Sequence, residues 1–154
     1  MKIPFFGKRF PTREEICLPD EWTVGEGEHD GRPIIVRFLK SAKDLCGHPE
    51  YQHQVGIAVP FNQADEKGFP SQEEFKALED IEDRMTDLLT EGNESLLVGI
   101  LTCRGMREFV LYTSSPEEVQ RKFRQLQASV QSHGLQFMMQ PDKDWLTYKQ
   151  FFCP

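Results

Sequence analysis

The chain has no C-x-x-C pair, no apolar run of membrane-spanning length and no surplus of basic residues, and each absence removes a class of function. Its four cysteines, Cys17, Cys46, Cys103 and Cys153, are scattered, which excludes zinc-ribbon and thioredoxin-type motifs. In a domain of this size they are expected as reduced thiols. Lysine and arginine total 18 against 25 aspartates and glutamates, a net charge of −7. That is the opposite of a nucleic-acid footprint, so no nucleic acid is expected as a partner. Residues 1–11 are basic but lack an apolar segment of signal-peptide length, and no stretch approaches a membrane span. A cytoplasmic protein with no membrane association is therefore expected. Glycine and proline, 11 and 10 of 154 residues, are too few for a fibrous or low-complexity chain, and no repeat recurs at a solenoid period.

What is present is a chain of 154 residues, 38% hydrophobic and 28% charged, long enough to bury about 70% of its unfolded surface without a disulfide or metal staple. Residues 1–19 read as an irregular arm, with Lys2, Lys8, Arg9 and Arg13 interleaved with Phe5, Phe6 and Phe10 and three prolines. Such an arm either tucks its aromatics onto the domain or offers a basic aromatic surface to a membrane or nucleic acid. Residues 20–154 read as a single α+β domain.

Within it, Asp30-Gly31 between two strand-like runs predicts a hairpin over residues 22–39. Residues 40–51 read as a polar loop. The run QVGIAV at 54–59 predicts a mostly buried strand ended by Pro60. Ser71-x-x-Glu74 is a capping box opening a helix with Phe75, Leu78, Ile81, Met85, Leu88 and Leu89 on one face and Gly92 as its stop. Residues 96–101 and 107–112 predict a second hairpin around Arg104-Gly105. Ser115 with Pro116 opens a second helix carrying Val119, Phe123, Leu126 and Val130, which Gly134 can terminate. Residues 135–140 supply a last strand, and 145–152 an amphipathic tail. The core over 53–140 is then strand, helix, strand, strand, helix, strand. This is the ferredoxin-like βαββαβ sandwich with an added N-terminal β-hairpin, followed by a tail over 142–154. Several strands are apolar at consecutive positions, so both sheet faces need cover. The hairpin and the tail, or a second subunit, are expected to shield the helix-free face.

Five segments resemble a bacterial family known as domain of unknown function 695. They are RPIIVRF at 32–38, HQVGIAVPF at 53–61, LEDIED at 78–83, Thr102 with GMREFVLYT at 105–113, and Asp144-Trp145-x-x-Tyr148. The resemblance spans about residues 22–152. It implies no catalytic residue, because that family has no established activity. Some of its members are joined to a domain similar to the small protein that regulates bacterial ribonuclease E by binding it, which implies a protein-binding regulatory role by analogy.

No residue pattern specifies a reaction, and no cofactor is expected. The loop holding Cys46, His48 and Glu50 together with His53 has ligand types suited to Zn²⁺, although the spacing is irregular and a fourth ligand such as Glu50 or His29 would be needed. Loop histidines and a small buried cysteine are the competing reading, and a Cys-His nucleophile lacks any identified oxyanion site. Arg107 and Glu108 are adjacent on a strand and must point to opposite faces. Arg37 or Arg107, projecting from an apolar strand, needs a carboxylate partner, and the pair would be structural or would wall an anion pocket. Glu79, Asp80, Glu82 and Asp83 read as a solvated helix face. The first helix is strongly acidic, whereas Arg121, Lys122 and Arg124 cluster on the second. Three function classes follow. One is a non-enzymatic protein-interaction or regulatory module with a protein partner or as a homodimer. Another is a small-ligand-binding protein or small enzyme with a pocket against the sheet, using Arg37, His53, Arg107 and Glu108. The third is a metal-binding domain built on Cys46, His48 and His53.

Overall fold

The structure, a computed structural model, describes residues 9–153. Residues 1–8 of the basic and aromatic arm, with Lys2, Phe5, Phe6 and Lys8, lie outside the described residues. Strands β1 (Trp22–His29), β2 (Arg32–Leu39), β3 (His53–Pro60), β4 (Ser95–Cys103), β5 (Met106–Thr113) and β6 (Gln136–Pro141) alternate with helices α1 (Gln72–Leu89), α2 (Pro116–Ser129) and α3 (Leu146–Phe152). The strands form one antiparallel sheet in the order β1-β2-β4-β5-β3-β6. A mixed α and β chain is thus what the alternating patterns produce.

Local chemistry accounts for most boundaries. Asp30 and Gly31 both take positive φ, 51° and 77°, the two-residue turn whose twist suits a hairpin. Ser71 caps α1 by accepting from the Glu74 N–H at 3.3 Å. The reciprocal half of the expected capping box is missing, because the Glu74 carboxylate turns inward to His133. Ser115 caps α2, with Pro116 in its first turn. That helix ends at Ser129 rather than Gly134: Val130 turns extended and is buried at 8% exposure, so packing stops the helix before its glycine.

The two sheet faces carry separate cores. On one, Val55, Ile57, Val59, Phe109 and Leu111 meet the apolar stripes of α1 and α2. On the other, Val98, Leu101, Val110 and Tyr112 meet Tyr148 and Phe152 of α3 together with Leu45 and Tyr51. Both faces are covered, as continuous apolar strands require. The cover differs from expectation in two respects. The N-terminal hairpin extends the sheet beyond β4 instead of lying over it. Residues 40–51, read as a polar loop, contain a 3-10 turn at Lys40–Leu45 and bury Ala42, Leu45, His48 and Tyr51. The buried positions recur every third residue, the 3-10 spacing, and one of the four is a histidine, so they give neither an α-helical nor a strand signal, yet Ala42, Leu45 and Tyr51 form part of the second layer.

The α3 contact is close. A Cβ added at Gly99 would lie 2.1 Å from the Phe152 ring, so only glycine lets the helix seat there. Tyr112 donates its hydroxyl proton to Asp142 at 2.8 Å and accepts the Tyr148 N–H at 3.2 Å. Asp142 also takes the Leu146 and Thr147 amides, capping a short helix whose preceding residue, Trp145, is left-handed at φ 58°. Burial and the hydrogen bond to Asp142 push the Tyr112 hydroxyl well above its usual range, which keeps it a donor.

Candidate functional site

The registers place the sequence-predicted polar residues in three separate locations. Val24, Arg37, Ile100, Phe109, Ile57 and Phe137 form one cross-strand row. The adjacent row on the same face runs through Glu26, Ile35, Thr102, Arg107 and Val59. Arg37 and Arg107 therefore share the α1 face of the sheet, separated by β4. Glu108 lies on the opposite face, where its neighbours across the strands are Leu101 and Ala58. His53 begins β3, registered with Thr113, six residues and roughly 20 Å along the strand from the Arg107 row at ~3.3 Å per residue. It borders a shallow depression with Pro141 and Leu146.

Around the two arginines the sheet and α1 leave a cleft of about 430 Å³. Its floor is Ile35, Ile100 and Thr102, and its walls are Val24 on one side and Phe69, Pro70 and Phe75 on the other. The cleft exists because the β1–β2 extension runs past the edge that α1 covers, so the first helical turn overhangs bare sheet. Val24 and Phe75, 63% and 42% exposed, are two large apolar side chains that the fold leaves open to solvent there.

The arginines are held differently. Arg37 is clamped: one terminal nitrogen reaches both Glu82 oxygens, at 2.5 and 2.6 Å, and its guanidinium lies 4.9 Å from the Trp22 ring centre. Glu82 is thereby withdrawn from the acidic face on which it was expected to be solvated. Arg107 is only 7% exposed. Its Nε donates to the Thr102 hydroxyl at 3.2 Å, and its guanidinium stands 5.4 Å from the Phe75 ring centre. Among the described residues no carboxylate lies within ion-pair distance of it. Burial, and then the nearby Arg37 charge, push its pKa down from the ordinary arginine value. Arg107 lines the cleft, and among the described residues the only hydrogen bond of its guanidinium is the one from Nε. The pairing expected for both arginines holds for Arg37 alone.

A larger depression of about 850 Å³ lies on the other face beside α3, lined by Phe38, Phe152 and three lysines, Lys40, Lys43 and Lys149. Its charges are exposed, flexible ammonium groups, and its buried Tyr148 hydroxyl already donates to the Leu39 carbonyl at 2.6 Å. It has volume without a fixed polar group, whereas the smaller cleft has both.

The Cys46, His48 and His53 set does not converge. Among the described residues no three histidine, cysteine, aspartate or glutamate side chains are grouped to hold a metal ion. Both His48 ring nitrogens are engaged, one with the Pro11 carbonyl at 2.7 Å and the other with the Glu50 N–H at 3.1 Å. His48 is instead a core residue beneath Phe10, whose ring centre is 5.1 Å away. Among the described residues no two cysteines form a disulfide, and no helix among them is long and apolar enough to cross a membrane.

Glu108 makes no hydrogen bond or ion pair among the described residues; its carboxylate would sit 3.0 Å from a Cβ at Gly56. Burial pushes its pKa up. A carboxyl with a folded pKa above its unfolded one costs nothing while both states are protonated; the cost appears as pH rises through the unfolded pKa and is complete above the folded one. Glu108→Gln is therefore expected to stabilise the fold at neutral pH and to have no effect at about pH 3. Urea titrations at the two pH values check this; an equal effect at both would show that packing, not charge, decides.

The model of one protein family matches residues 20–153, and that family is described as a family of unknown function (DUF695). No curated protein and no solved structure matches the chain.

Proposed function

The chain belongs to DUF695, a family of unknown function, and from that premise we propose that it is a non-enzymatic binding protein whose ligand enters the cleft between the β1–β2–β4–β5 face and the first turn of α1. The observation that carries this reading is Arg107, a charge buried at 7% exposure, with no carboxylate partner among the described residues and lining a 430 Å³ apolar cleft. An unpaired buried guanidinium is costly to the fold. A ligand that supplies the missing counter-charge gives that cost a purpose. Among the described residues the cleft is lined by arginine, threonine and apolar side chains, without a histidine, cysteine or carboxylate, which supports binding over acid-base or nucleophilic chemistry. Its volume of about 430 Å³ suits a small ligand better than the wide partner surface expected from the acidic helix.

The architecture belongs to the same proposal. We read the β3-α1-β4-β5-α2-β6 part as a ferredoxin-like sandwich, supported by the order β4-β5-β3-β6 and by α1 and α2 sharing one face. The N-terminal hairpin is then the addition that converts an edge of that sandwich into a cleft.

Two measurements test the binding reading. In a fragment screen by protein-observed NMR, hits are expected to shift the amides of Ile35, Ile100 and Thr102; hits that map only elsewhere overturn it. Arg107→Met is expected to raise stability by about 1 kcal/mol, because a desolvated charge is removed, while abolishing binding at the cleft. A destabilised Arg107→Met protein would make Arg107 a structural residue instead.

A further inference from the structure

We infer that the ligand is an organic monoanion, a carboxylate on a single aromatic or branched apolar body, and that Glu82 sets this preference by neutralising Arg37. The inference rests on the binding reading above and adds the ligand's chemistry to it.

The argument is a charge count in a confined apolar space. Two guanidinium groups line the cleft. Arg37 is already matched by Glu82, bonded through both carboxylate oxygens and 18% exposed. Arg107 has only the Thr102 hydroxyl and the Phe75 face. One positive charge is therefore uncompensated. A single carboxylate bound by the Arg107 terminal nitrogens balances the site, in the geometry that guanidinium offers best. A second negative charge on the ligand would have to lie against apolar side chains or displace Glu82 from Arg37, and either is unfavourable between apolar walls. The rest of the ligand faces Ile35, Ile100, Phe75 and Val24, which suits a ring or a branched chain. Glu79 is exposed and makes no ion pair with Arg107; its charge acts on Arg107 more weakly than that of Glu82, so it does not supply the missing partner.

The Glu82 carboxylate is thus a specificity-determining group that does not touch the ligand. Replacing it with glutamine keeps its shape and frees the Arg37 charge, so that the cleft then fits a dianion. Replacing Arg37 as well restores a single positive charge and the original preference.

The experiment titrates the full-length protein with three probes sharing one phenyl body: 3-phenylpropanoate, benzylsuccinate and the neutral 3-phenylpropanol. For the wild type, 3-phenylpropanoate is expected to bind at least about tenfold more tightly than either competitor, as for an unmatched buried charge. Glu82→Gln is expected to shrink or reverse the preference over benzylsuccinate without changing the affinity of the alcohol, and the Glu82→Gln, Arg37→Gln double variant to restore it. Equal wild-type binding of benzylsuccinate and 3-phenylpropanoate overturns the charge count. Alcohol binding as tight as carboxylate overturns the anionic class. In both cases the cleft remains a binding site. Failure of all three probes, while other fragments still shift Ile35 and Thr102, overturns this inference alone; silence of the whole fragment library removes the binding reading with it. Thermal melts accompany each variant, and should Glu82→Gln not fold, the wild-type ratios decide.

Discussion

Replacing Trp145 with alanine is expected to lower the unfolding free energy by about 3–5 kcal/mol, the range for deleting a buried large aromatic. Trp145 has no exposed surface. It stacks on Tyr112 at 3.9 Å between ring centres with planes 7° apart, meets Tyr148 edge-on at 6.0 Å, and donates its indole N–H to the Tyr51 carbonyl at 2.9 Å. It therefore joins three separate pieces of the second layer: β5, the 40–51 segment and α3. Its loss empties the junction and leaves the Tyr51 carbonyl without its partner. For a domain whose total stability is of the order of 5–15 kcal/mol, the expected result is a large drop in the urea midpoint by far-UV circular dichroism. Because the chain has two tryptophans, the remaining fluorescence reports Trp22, which packs against both cores at the sheet's outer strand. Loss of the near-ultraviolet dichroism of the Trp145–Tyr112 stack with the Trp22 emission unmoved would confine the damage to the Trp145 junction. A change below about 1 kcal/mol, the scale of an ordinary surface substitution, would show that α3 does not hold that face.

Where the chain's own periodicity is strong, the sequence was a sufficient guide. Both long helices start at the serines that their caps predict, and the Asp30-Gly31 turn sits between strands in the expected register. Alternation alone puts Glu108 and Arg107 on opposite faces, and so divides the four proposed pocket residues before any fold is known. What was not legible depends on pairing over long separations. Nothing local separates Glu82 from Glu79, Asp80 and Asp83; only the crossing of α1 over β2 selects it for Arg37, 45 residues away. The two arginines carry the same expectation in sequence, and they part only because the helix brings a carboxylate to one and an aromatic ring to the other. Residues 40–51 were opaque for a different reason: their buried side chains recur every third residue, the 3-10 spacing, which matches neither the α-helical nor the strand period.

The capping-box expectation failed in an informative way. Glu74 has the residue type and spacing to close the α1 N-terminus, yet its carboxylate is bonded to the His133 Nε2 and accepts the Asn62 N–H at 3.3 Å. Both partners of the pair are nearly buried, at 7% and 8% exposure. The other His133 nitrogen meets the Ser132 hydroxyl at 2.9 Å, and Asn62 donates its side-chain amide to the Ser132 carbonyl, also at 2.9 Å. This network pins the first turn of α1 to the segment between α2 and β6.

His133→Ala is expected to cost about 3 kcal/mol, because a carboxylate is left buried with too few donors. Glu74→Met with His133→Leu removes both polar groups and fills the space, and is expected to come within about 1 kcal/mol of the wild type. Phe75 follows Glu74 directly and forms a wall of the cleft over Arg107, so the same pin sets the position of that wall. The single variant should consequently weaken 3-phenylpropanoate binding from a site its side chain does not line, and the apolar double variant should recover both stability and binding. Recovery of stability without binding would mean that the polar pair, and not merely the filled space beneath α1, determines where the Phe75 ring stands.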